Sequence, residues 1–143
     1  MDTNEFRLID VFISGPLQII ISTYITRSPL LRYFMLITGI INILYNWHNF
    51  LLFNSTLKRP LPILKPFVHQ KNGKYQLHRL YNLLIMYPVF IYVLLNIGIP
   101  FEFRILLLFN IVIGILYNLY FLNRIYNKYD THNGLLDAQI NAL

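Results

Sequence analysis

The sequence predicts an all-α integral membrane bundle of four segments, and three observations carry that expectation. Residues 11–26, 33–57, 80–101 and 105–123 contain no Asp, Glu, Lys or Arg. A helix rises about 1.5 Å per residue and the hydrocarbon core is about 30 Å thick, so roughly twenty apolar residues cross it. Hydrophobic residues make up 56% of the chain and charged residues 13%, about half the charge of a soluble domain. Finally, 143 residues hold four crossings and one moderate loop, which leaves no room for a separate soluble catalytic domain.

The first segment, residues 6–26, contains Gly15-Pro16 and is expected either to cross with a kink or to lie partly in the interface, because proline removes a backbone donor. Arg27-Ser-Pro-Leu-Leu-Arg32 is a short turn, with Pro29 placed for the first turn of the next helix. The second segment covers 30–53. A basic loop over 54–74 follows, stiffened by Pro60, Pro62 and Pro66 and marked by an Asn72-Gly73 turn signal. The third segment, 75–97, is interrupted by Pro88 and ended by Gly98-Ile-Pro100. The fourth covers 101–126 and leaves a polar tail, 127–143. The N-terminus is acidic where a secretory signal is basic, so the first segment is expected to be retained.

Topology follows from the cations. With four crossings, both termini and the loop share one side, holding Arg7, Lys58, Arg59, Lys65, Lys71, Lys74, Arg79, Arg124 and Lys128 against Arg27, Arg32 and Arg104 on the other. The positive-inside rule places the basic side in the cytoplasm.

Inside the segments, polar residues form stripes. Asn42, Asn46 and Asn49 share a helix face with Gly39; Asn110 and Asn118 share one with Gly114; Asp10, Ser14, Gln18 and Ser22 are spaced by four. Lipid cannot satisfy these groups, so the stripes should face other helices, where each hydrogen bond contributes about 1 kcal/mol or less. In addition, Leu8-Ile9-Asp10, Leu44-Tyr45-Asn46, Leu80-Tyr81-Asn82 and Leu116-Tyr117-Asn118 recur at steps of 36 residues. Two readings are open: coincidence in a chain rich in Tyr and Asn, or a polar and aromatic layer in the leaflet on the basic side, with amides paired across helices.

Chemistry has few candidates. His48 and His78 on facing helices could in principle ligate a haem, but one facing pair and no cleared pocket make packing the better expectation. Of the ionisable residues, only His48 lies well inside a segment. There is no Gly-x-Ser-x-Gly, no phosphate-binding glycine loop, no acidic metal motif and no cysteine, so no catalytic residue, cofactor or metal ligand is assigned and no enzyme is expected. The loop offers Lys58, Arg59, Lys65, Lys71 and Lys74, with Phe67 among its apolar residues and Arg79 just beyond. It suits anionic lipid at about 1 kcal/mol per cation, or a protein partner docking on a stiff surface. Nucleic acid is not expected, since one Phe and a terminal Tyr make no stacking platform. Oligomerisation is left open.

Asp10-Val-Phe-Ile-Ser-Gly-Pro16, Asn42-Ile-Leu-Tyr-Asn46 with Asn49-Phe50, and Lys74-Tyr-Gln-Leu-His-Arg-Leu-Tyr-Asn82 together resemble small multi-pass membrane proteins of nucleocytoplasmic large DNA viruses. The resemblance implies a protein of the virion's internal membrane that contacts minor capsid proteins, and it carries over no catalytic residues. The expected function is a structural membrane protein that anchors a protein layer through loop 54–74; the rival is a small channel or transporter subunit with an Asn- and Gln-lined path.

Overall fold

The structure, a computed structural model, describes residues 3–54, 56 and 77–127, and every regular element among them is helical. The first span joins α1 (Thr3–Ile9), a π-helical turn (Asp10–Ser14) and α2 (Gly15–Tyr24). The second span is α3 (Pro29–Phe53). The third repeats the construction of the first, with α4 (Leu77–Tyr81), a π-helical turn (Asn82–Met86) and α5 (Tyr87–Asn96). The fourth is α6 (Phe101–Asn127). Among the described residues four helical stretches are long and apolar enough to cross a membrane: Glu5–Tyr24, Pro29–Leu52, Arg79–Asn96 and Phe101–Asn123. The chain is an all-α membrane bundle.

Proline accounts for both π-helical turns. Pro16 and Pro88 have no N–H to give to the carbonyl four residues back, so the preceding turn widens. The Gly15 N–H donates to the Asp10 carbonyl and the Tyr87 N–H to the Asn82 carbonyl, each five residues back. In this way the first span passes its proline as a continuous helix and packs along its whole length, where the sequence left a kink or an interfacial course open.

The short connections are closed by local bonds. Ser28 caps α3, its Oγ accepting from the Leu31 N–H at 3.3 Å, and Pro29 follows it in the first turn. At the other connection the Ile97 carbonyl, just past the end of α5, accepts from the Ile99 N–H at 3.0 Å and from Arg104 Nη2 at 3.3 Å.

The first span is the centre of the bundle, packed on the second and the fourth. Gly15 and Gly39 let the first pair of helices touch: a Cβ on Gly39 would stand 3.0 Å from the Gly15 carbonyl, and one on Gly15 would stand 3.1 Å from the Gly39 carbonyl. Small residues serve this purpose in membranes, where close packing drives association. Asp10 meets Asn42, Gly15 meets Gly39, Phe6 meets Tyr117 and Tyr24 meets Phe103, so the first span runs antiparallel to both neighbours. Gly114 gives the Tyr87 ring its seat between the third and fourth spans. The second and third spans meet less closely than the first and fourth and leave a shallow apolar groove containing Phe34, Ile37, Thr38, Ile41 and Tyr81.

All four spans contribute to one core through Ile21, Met35, Val93 and Leu107, with Phe90 and Ile111 around them. The outward surface is as apolar as the core: Phe12, Ile41, Leu44, Leu84, Leu95, Phe109 and Leu116 are all exposed. A soluble protein could not hold so large a patch in water, whereas lipid accepts it.

Candidate functional site

The polar stripes converge near the basic end of the bundle. Asp10, in the first π-helical turn, lies within hydrogen-bonding reach of Ser14 on its own span and Asn42 on the second. A carboxylate only accepts, so both neighbours must donate to it. Their other atoms are engaged in the matching sense. Asn110 Nδ2 of the fourth span donates to Ser14 Oγ, while Asn46 Nδ2 donates to Asn42 Oδ1 at 2.7 Å and to the Asn42 carbonyl at 2.9 Å. The result is a chain of five side chains across three spans, Asn110 to Ser14 to Asp10 from one end and Asn46 to Asn42 to Asp10 from the other. Every donor points toward the carboxylate.

Two arginines adjoin it. Arg7 lies within electrostatic reach of Asp10, Tyr45, Tyr117 and Arg79; Arg79 lies within reach of Tyr45, Tyr87 and Tyr117. The Arg79 guanidinium is buried, with its central carbon 4.6 Å from the centroid of Phe121 and 5.2 Å from that of Tyr117, a cation–π arrangement on the fourth span. The opposite span meets the same ring, since Phe6 stacks on Tyr117 at 3.8 Å. A second polar pair lies on the third and fourth spans, where Asn118 Nδ2 donates to the Tyr87 hydroxyl at 3.2 Å and to the Gly114 carbonyl at 2.7 Å.

The sequence-derived residues divide accordingly. Asn42, Asn46, Asn110, Asn118 and Arg79 enter these networks, although Asn46 bonds back to its own helix and the crossing to the first span is made by Asn42. The reason is spacing: residues four apart on a helix are already neighbours, while the gap to the first span matches the position of Asn42. His48 and Asn49 are buried beside each other, with Nδ1 and Oδ1 3.2 Å apart. Gln18 is buried, and its Oε1 has no hydrogen-bond partner among the described residues. Asn82 opens the second π-helical turn and its carbonyl accepts from Tyr87. The His78 side chain and loop residues Lys58, Arg59, Lys65, Phe67, Lys71 and Lys74 lie outside the described residues.

The sequence read only His48 as an ionisable group well inside a segment. In the structure Arg7, Asp10 and Arg79 also belong to the bundle interior, inside or at the edge of the candidate spans. Their position in the sequence, just before the charge-free stretches, concealed this. The available signal was the spacing of Asp10 with Ser14, Gln18 and Ser22.

Fold and site together define a multi-pass membrane protein with a charged, hydrogen-bonded interior at one end and an apolar outer surface. No family model, no curated protein and no solved structure matches the chain.

Proposed function

We propose that this chain is a structural membrane protein, a four-span anchor that holds a protein layer against the membrane through its basic loop, residues 54–74. One observation carries the proposal: five interior polar side chains are spent on one another. Asp10, Ser14, Asn42, Asn46 and Asn110 form a closed run of donors and acceptors joining three spans, as befits a bundle whose interior is mortar. Recruitment then falls to the basic loop, whose cations and apolar residues suit a stiff docking surface. The resemblance to viral membrane proteins makes a capsid layer the partner to test first. Neutralising Lys58, Arg59 and Lys65 together should abolish recruitment of that layer to vesicles carrying the protein while the bundle stays folded; undiminished recruitment would refute the anchor.

A second reading, a small channel or transporter subunit, is favoured by Arg7, Asp10 and Arg79, because ionisable groups inside a membrane bundle commonly mark solute and proton routes. Flux in reconstituted liposomes separates the two. Selective conductance that disappears in Asp10→Asn would establish the transport reading.

A further inference from the structure

We infer that this chain is a tandem duplication of one helical hairpin, its two copies packed on each other about a pseudo-two-fold axis along the membrane normal. Three registers coincide at the 72-residue interval from Arg7 to Arg79. In sequence, Arg7-Leu8 matches Arg79-Leu80, Ile13-x-x-Pro16-x-x-Ile19 matches Ile85-x-x-Pro88-x-x-Ile91, Arg32 matches Arg104, and Ile43-Leu-Tyr-Asn46 matches Ile115-Leu-Tyr-Asn118. In backbone, the π-helical turns Asp10–Ser14 and Asn82–Met86, the helices Gly15–Tyr24 and Tyr87–Asn96, and the helix starts Pro29 and Phe101 fall at the same interval without a shift.

The third register is burial, which neither of the others compels. Ile21 and Val93 are both 0% exposed, as are Met35 and Leu107; Leu44 and Leu116 are 61% and 63% exposed, Phe12 and Leu84 65% and 71%. At these positions equivalent residues point the same way relative to the rest of the bundle, whereas His48 and Tyr120, 6% and 56% exposed, differ. The 36-residue step fails this comparison at Trp47, which it sets, 40% exposed, against Val11, 7% exposed, while the 72-residue step sets it against Leu119, 50% exposed. The 36-residue recurrence follows from two hairpins whose antiparallel arms happen to carry related triplets.

Each half contains two spans, so both halves enter the membrane in the same direction, and the operation relating them is a pseudo-two-fold axis along the membrane normal. Only residues near such an axis meet their own equivalents. Arg7 and Arg79 are such a pair, and each also lies within electrostatic reach of both members of the pair Tyr45 and Tyr117. One residue from each of the four spans thus marks the axis. An isologous contact has this signature: the same patch on both partners, self-complementary. Divergence shows both within and between hairpins, since the first and fourth spans pack while the equivalent second and third leave a groove. The first hairpin is drawn together by Gly15, whose equivalent is Tyr87; that ring in the second hairpin is seated by Gly114, the equivalent of Asn42.

The full chain has no cysteine, so introduced thiols are unique. Ile13, Ile41, Ile85 and Ile113 all face outward and accept spin labels as Ile→Cys pairs in lipid nanodiscs. The pairs 13/41 and 85/113 should give matching distances, and so should the cross-pairs 13/113 and 41/85. A mismatch beyond about 5 Å, the radius of a helix with its side chains, in both comparisons overturns the duplication. Thr26→Cys and Gly98→Cys, equivalent positions in the two connections, provide an arm that tolerates distortion of the bundle. Labelling from the same face of sealed vesicles is expected, and labelling from opposite faces overturns the parallel repeat.

Discussion

Asp10 is the point at which the polar interior can be broken. Asp10→Ala removes the shared acceptor of Ser14 and Asn42 and strands the donors of both, while Asn110 and Asn46 keep their own acceptors on those two residues. Side-chain hydrogen bonds between membrane helices contribute about 0.6 kcal/mol on average and up to about 1.7. Two lost bonds therefore give roughly 1–3 kcal/mol. Asp10→Asn keeps a carbonyl oxygen for one donor and should lose no more than about half as much. Reversible unfolding of the purified protein in bicelles, followed by the fluorescence of Trp47, measures both. A destabilisation under about 0.5 kcal/mol for Asp10→Ala would refute the convergent network, because a bond of average strength would then be missing from the total. Equal losses for Ala and Asn would show that charge, and not acceptance, is what the site requires.

Other perturbations have separate outcomes. Gly114→Ala puts a Cβ onto the Tyr87 hydroxyl and within 2.5 Å of the ring carbon that bears it, so it should cost about 1–3 kcal/mol as overpacking and displace the Asn118 bond; adding Tyr87→Leu should recover much of that loss in the same unfolding assay. Phe121→Leu leaves Arg79 without one of its two aromatic faces and should reduce stability by about 0.5–2 kcal/mol, whereas Phe109→Leu, on the exposed surface, should change it by less than about 0.5. Cysteines placed singly at Lys65 and Arg104 should be labelled from opposite faces of sealed vesicles, and equal labelling of both from one face would refute the alternating topology.

The fold class is legible in the chain alone, since a charge-free run near twenty residues has few alternatives to a helix across a membrane. The sequence also locates the prolines and the stripes of Asn, Ser and Gln, because residues three and four apart share a helix face whatever surrounds them. Three things needed the tertiary structure. The sequence left open what Pro16 does to the first span; the backbone answered by widening one turn and keeping the helix packed in the bundle. The partner of each amide was also hidden, because face periodicity gives direction but not distance: Asn42 reaches Asp10, while Asn46 reaches only Asn42. Lastly, Arg7 and Arg79 look in the sequence like cations flanking membrane segments. Their place inside the bundle depends on Tyr45 and Tyr117 arriving from the second and fourth spans, a coincidence of four helix positions that no single segment encodes.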